Sequence, residues 1–126
     1  MSGLAQLKCV PCQGGVPALK GPSLEALQVR LGGGWRLVRE HHLEKEYRFD
    51  SFAENIAFVN RVAQVAETEG HHPEMHVGFR TLRLEVWTHK IDGLTESDFV
   101  LAAKADAVFS PSLRPRYGAG SPPARP

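Results

Sequence analysis

The apolar positions of this chain change period several times, and each change marks an expected element. Leu24, Leu27 and Leu31 stand three and four residues apart behind Pro22-Ser23, which predicts a helix ended by Gly32-Gly33-Gly34. Residues 35–38 then read as a short strand. Leu43, Tyr47 and Phe49 share one parity while Glu44, Glu46, Arg48 and Asp50 take the other, the pattern of a half-buried strand, with Glu40-His41-His42 as the intervening turn. Ser51 and Glu54 stand at capping-box spacing and open a second helix. Its apolar face is expected to run through Phe52, Ile56, Val59, Ala63 and Ala66, and Gly70 supplies its stop. After Pro73 the period returns to two. Met75, Val77 and Phe79 are expected on one face of a third strand, with Arg80-Thr81 as a turn. Leu82, Leu84, Val86 and Thr88 line the inner face of a fourth strand, and Arg83, Glu85, Trp87 and His89 line the outer. Thr95 and Asp98 repeat the helix-start pattern, and a last helix runs to about Phe109.

The expected order is therefore α-β-β-α-β-β-α. Two hairpins separated by a helix exclude the parallel sheet of a βαβ protein and point to the α+β class: a four-stranded antiparallel sheet with helices packed on one face. The other face is left to Glu, Arg, His and Trp side chains. Residues 1–21, rich in Gly and Pro, read as an irregular N-terminal arm, residues 22–109 carry the folded domain, and residues 110–126 read as a flexible Pro/Arg tail.

Composition narrows the function. The chain has 126 residues, with 15 Lys and Arg against 14 acids, a formal net charge of +1. That balance offers no electrostatic case for a nucleic acid or an anionic membrane as partner. No apolar run approaches the ~20 residues of a membrane span, and the N-terminus lacks a hydrophobic signal core, so a cytoplasmic location is expected. Cys9 and Cys12 form a C-x-x-C, which is half a zinc site or a redox pair at its sharpest and two reduced thiols at its plainest.

The histidines are more informative. His71, His72, His76 and His89 fall in one segment. A shared metal on His72 and His76 is disfavoured, because Pro73 forbids a helix between them and four strand residues extend about 13 Å. Proton transfer needs less special geometry, since imidazole titrates near neutrality. His71 and His72 follow a helix end, His89 ends a strand and Asp98 opens a helix, so loops and element ends could converge on one pocket.

The run from Glu67 to Asp98 resembles the pterin-4a-carbinolamine dehydratases. Their pattern of an acid, His-His-Pro, an aromatic, a further His and an Asp is met in order and spacing by Glu67, His71, His72, Pro73, Phe79, His89 and Asp98. Gly34-Trp35 and the run from Phe58 to Ala63 are similar to the family's strand opening and long helix. Met75 stands where many members carry an aromatic, and Gly70 where many carry an acid. The resemblance implies the α+β fold, a homodimer or homotetramer, and loss of water from 4a-hydroxytetrahydropterin to give quinonoid dihydropterin. That reaction recycles the cofactor of aromatic amino-acid hydroxylases, and neither a metal nor an organic cofactor is implied. On this resemblance His72 leads as acid/base, with His71 and His89 flanking the C4a hydroxyl. Asp98 either orients His89 or is a first-turn helix acid, and Glu67 either orients the His-His loop or is simply solvated. Pro73, Thr88 and Lys90 are expected at the pterin ring. Three rival readings stand beside it: a binding or dimerisation module, a metal protein using His72, His76 and Cys9 or Cys12, and a molybdopterin-related protein on the same scaffold.

Overall fold

Two non-glycine residues with positive φ, Arg39 at 50° and Glu40 at 56°, build the first hairpin. Paired positive φ values make a type I′ turn, whose twist matches that of the flanking strands. A computed structural model of the chain describes residues 3–10 and 17–109. The hairpin joins β1 (Arg36–Val38) to β2 (His42–Arg48), with Val38 opposite His42. His42 is thus the first residue of a strand, and the turn sits one residue earlier than its polarity suggested. The second hairpin joins β3 (Glu74–Val77) to β4 (Thr81–Val86). Gly78 N–H donates to Thr81 O at 2.8 Å, so the bend lies at Phe79-Arg80 and Thr81 already belongs to β4.

The sheet is antiparallel throughout, in the order β1-β2-β4-β3. Leu43 and Tyr47 of β2 and Leu82, Leu84 and Val86 of β4 are all buried on the inner face. β3 is an edge strand, and its expected apolar face is only partly realised. Met75 packs on the core, but Val77 is 46% and Phe79 55% exposed.

Three helices cover that inner face: α1 (Pro22–Leu31), α2 (Phe52–Glu69) and α3 (Glu96–Val108). Ser51 Oγ accepts from Glu54 N–H at 3.1 Å and caps α2 as its spacing requires. The buried stripe of α2 runs through Asn55, Phe58, Val62 and Ala66 rather than through Phe52, Ile56 and Ala63. The reason is Asn55, which is fully buried and donates through Nδ2 to Gly78 O at 2.9 Å and Thr81 O at 2.8 Å. A polar residue in the core stripe ties α2 to the second hairpin and rotates the helix away from the face that apolar spacing alone selects. Phe52 is left to pair with exposed Phe79.

α3 is buried on nearly every side, from Ser97 to Ala103. An all-round apolar helix of this kind sits inside a domain, not on its surface. It also receives the N-terminal arm. Leu4 is fully buried, Lys104 Nζ donates to Ala5 O at 2.8 Å, and Val10 N–H donates to Ser97 Oγ at 2.8 Å. Among its described residues the arm is irregular apart from one 3₁₀ turn at Leu4–Gln6, yet residues 4–10 are docked. Cys9 donates through its thiol to Ser97 O, and burial, followed by the nearby Glu69 carboxylate, pushes that thiol up to about 12. Cys12 and the tail 110–126 lie outside the described residues.

Asp106 fastens α3 to the sheet. Its carboxylate accepts from Lys45 Nζ at 2.7 Å, Tyr47 Oη at 2.6 Å and Trp35 Nε1 at 3.0 Å. Lys45 holds an inward position of β2 that period two assigns to an apolar residue, and this carboxylate is what makes a cation tolerable there. Trp35 is accordingly a core residue, 4% exposed. No helix among the described residues is long and apolar enough to cross a membrane.

Candidate active site

Gly70, at φ 66°, ends α2 in the left-handed conformation, and His71 N–H reaches back to Ala66 O at 3.2 Å. This Schellman-type ending turns the chain sharply. Pro73 then keeps it from resuming a helix, so His71 and His72 are presented on a short extended segment. On the opposite wall, β4 runs out at Val86 and the chain tightens into a 3₁₀ turn at His89–Ile91. That turn is closed by paired backbone bonds, Thr88 N–H to Gly93 O at 2.8 Å and Gly93 N–H to Thr88 O at 3.3 Å. Gly93 is required there because a Cβ would stand 2.5 Å from Ala18 Cβ.

Between these walls lies a cleft of about 340 Å³, lined by Gly70, His71, His72, Trp87, Thr88, His89 and Lys90. The volume falls in the range of about 300–1,000 Å³ common for small-molecule sites. The His71-His72 pair after α2 and His89 beyond β4 share this one cleft.

Each histidine is held differently. His71 Nε2 lies 2.6 Å from Asp98 Oδ1, and Asp98 is fully buried. The other carboxylate oxygen, Oδ2, accepts from Thr88 Oγ1 at 2.7 Å and Thr95 N–H at 2.8 Å. Thr95 and Asp98 thereby complete the capping box of α3. One acid caps the helix and orients a cleft imidazole. As a carboxylate it only accepts, so His71 carries its proton on Nε2 toward Asp98, and Nδ1 is left as the nitrogen that exchanges protons. His72 Nε2 lies 2.7 Å from Glu67 Oε2, an exposed pair. His89 stacks on Trp87, with ring centroids 4.3 Å apart and planes at 19°, and its Nε2 is 4.0 Å from Glu74 Oε2.

Several expectations are relocated. Asp98 orients His71 rather than His89, because the N-terminus of α3 points at the His-His loop while the 3₁₀ turn carries His89 onto Trp87. Glu67 does reach the His-His loop, through His72. Thr88 borders the cleft, but its hydroxyl is spent on Asp98 and its backbone on Gly93, so it supports the acid rather than offering free groups to a ligand. Lys90 lines the cleft and Pro73 does not. His76 turns away toward Glu85, at 3.4 Å, so it shares no site with His72. Trp87 is the wall residue whose weight the sequence understated. It is half-buried, packing against the core on one side and lining the cleft on the other.

The chain is similar in sequence and in fold to known proteins. A family model described as pterin 4 alpha carbinolamine dehydratase matches residues 18–108. A relative from Rubrobacter xylanophilus, named as a pterin-4-alpha-carbinolamine dehydratase, is 56% identical over 106 residues, covering 84% of this chain and 98% of its own length. One of the same name from Alkaliphilus metalliredigens is 43% identical over 106 residues, covering 84% and 96%. Among solved structures, a transcriptional coactivator/pterin dehydratase from Brucella melitensis aligns with TM-score 0.67 and 26% identity, over 71% of this chain and 96% of that one. A pterin dehydratase-like protein identified as a RuBisCO assembly factor in the alpha-carboxysome aligns with TM-score 0.53 and 25% identity, over 61% and 90%.

Proposed function

Since the chain belongs to the pterin 4 alpha carbinolamine dehydratase family, we propose that it removes water from 4a-hydroxytetrahydropterin to give quinonoid dihydropterin, by acid/base catalysis from histidines. The observation that carries this reading is the convergence of His71, His72 and His89 on one cleft, with His71 anchored by a fully buried carboxylate.

The reaction breaks the C4a–O bond and the N5–H bond and forms the C4a–N5 double bond, releasing one water. Hydroxide leaves poorly, so a cationic imidazole must protonate it as it departs, while a base takes the N5 proton. His72, exposed and paired with Glu67, is the leading donor to the hydroxyl. His71, with Nε2 committed to Asp98, receives the N5 proton at Nδ1. His89, fixed in orientation by Trp87, frames the hydroxyl from the other wall. Each positioned transfer is worth about 10²–10⁴-fold. These groups suffice without a metal. Lys90 borders the ring, and the substrate is supplied by an aromatic amino-acid hydroxylase in the same compartment, expected to be the cytoplasm. The chain is expected to act as a homodimer or homotetramer.

The test is stopped-flow dehydration of 4a-carbinolamine generated in situ by a hydroxylase. Wild type is expected to accelerate the reaction, His72→Ala to lose at least about tenfold with its fold intact, and chelator to change nothing. An unchanged rate in His72→Ala would remove this mechanism, and no acceleration by wild type would leave a binding protein on a dehydratase scaffold.

A further inference from the structure

The outer face of the sheet carries a second group of titratable side chains, of which only Glu74 also faces the cleft, through His89. The register sets Glu44 directly opposite Glu85, and Glu85 directly opposite Glu74, so three carboxylates stand in one row across β2, β4 and β3. Like charges placed opposite one another destabilise a sheet unless something of opposite sign holds them. Arg36 holds Oε2 of Glu44, and Arg83 Nε holds Oε2 of Glu85 at 3.2 Å. Arg83, with His76, keeps the Glu85 carboxyl below its ordinary range although partial burial pushes it up. The arginines leave Oε1 of each acid facing an imidazole: His42 Nε2 is 3.7 Å from Glu44 Oε1, and His76 Nε2 is 3.4 Å from Glu85 Oε1. One ligand atom from each of His42, Glu44 and Glu85 lies within 4.8 Å of the other two.

The state of His42 follows from its neighbours. Asp92 Oδ1 lies 2.7 Å from His41 Nε2, and His41 Nδ1 lies 3.0 Å from His42 Nδ1. With the His41 proton committed to Asp92, His41 Nδ1 is the acceptor and His42 Nδ1–H the donor. His42 Nε2 is left facing the two carboxylates, in a side chain only 12% exposed. Ligand atoms of one imidazole and two carboxylates thus converge on one point, an arrangement that suits a cation.

We propose that His42, Glu44 and Glu85 bind a divalent first-row transition metal ion of the Zn²⁺ class. In a tetrahedral site with bonds of about 2.0–2.1 Å, ligand atoms stand about 3.3–3.4 Å apart. The 3.7 Å between His42 Nε2 and Glu44 Oε1 is closer to such an edge than to a hydrogen bond. An imidazole between two carboxylates favours Zn²⁺, Co²⁺ or Ni²⁺ over Ca²⁺ or Mg²⁺. The surrounding groups are those that orient ligands in metal sites: Asp92 and His41 fix the tautomer of His42, and the two arginines fix the carboxylates. Bound there, the ion clamps β2 to β4 beside Trp87, whose ring also contacts His41 and His42, at 5.2 and 5.7 Å.

The test uses the full chain stripped with chelator, titrated with Zn²⁺ by calorimetry and with Co²⁺ by visible absorption. One equivalent is expected to bind, with cobalt bands of a low-coordinate site. Glu85→Gln and His42→Gln should each weaken binding at least about tenfold, and His41→Phe by about 10–100-fold. The triple cleft variant His71→Ala/His72→Ala/His89→Ala should bind as wild type does. Absence of stoichiometric binding overturns the proposal, and so does binding that survives Glu85→Gln. Glu85 is a surface strand residue, so its variant decides the matter even if His42→Gln fails to fold.

Discussion

Replacing Asp98 with Asn separates the two tasks this residue performs. The amide oxygen can still accept from Thr95 N–H and Thr88 Oγ1, which keeps the cap of α3. The amide nitrogen must then face His71 Nε2, where a carboxylate oxygen stands at 2.6 Å in the native chain. Two donors cannot share that contact, so His71 moves its proton to Nδ1, the nitrogen assigned to receive the N5 proton. The stability cost is the difference between charge-assisted and neutral hydrogen bonds, about 1–3 kcal/mol. The catalytic cost is that of a wrong tautomer, about 10²–10⁴-fold in dehydration rate. Thermal unfolding and stopped-flow dehydration measure the two separately. A double-mutant cycle with His71→Ala supplies the sharper readout. If Asp98 acts through His71, Asp98→Asn/His71→Ala loses little beyond His71→Ala alone. Additive losses, or a wild-type rate in Asp98→Asn, would refute the reasoning.

Other consequences are equally direct. Asn55→Ala removes both bonds that tie α2 to the β3–β4 turn and leaves Gly78 O without its Asn55 donor, so it should destabilise by about 1–3 kcal/mol in urea unfolding, with the cleft chemistry of the folded fraction retained. In a Cys12→Ser background, Cys9 should react with iodoacetamide near pH 8 about a thousandfold more slowly than an ordinary thiol, because a shift from 9.0 to about 12 removes that much thiolate. Glu69 is held below its ordinary value first by Cys9 N–H and then by Lys104, so its contribution to arm docking is present above the ordinary carboxylate range and lost as pH falls through its lowered value. Glu69→Gln should therefore flatten the acid limb of the stability curve, and an unchanged limb would count against this contact.

Local chemistry was legible in the residues themselves. Side-chain parity along β2 and β4, the Ser51 cap and the Gly70 stop depend on neighbours within a few positions, and the folded chain keeps them. The histidine spacing likewise carried the cleft, because Gly70 and Pro73 constrain the His71-His72 segment through their own backbone geometry. The type I′ turn at Arg39-Glu40 was harder to place, since it uses two residues that ordinarily avoid positive φ. The exposed Val77 and Phe79 were misplaced because alternation describes a strand without saying whether it lies at the edge of its sheet.

What only the tertiary structure decided were contacts between positions distant in the chain. The buried stripe of α2 turned on Asn55 meeting Gly78 and Thr81, and the tolerance of an inward Lys45 turned on Asp106, 61 residues away. The partner of Asp98 depended on where the N-terminus of α3 came to rest, a matter of helix packing that no local spacing records. The row of Glu44, Glu85 and Glu74 exists only through strand register, because residues on three strands become neighbours when the ladder forms. Periodicity determined which side of each element meets the core. Packing determined which side chains meet one another, and the chemistry of both sites lies in those meetings.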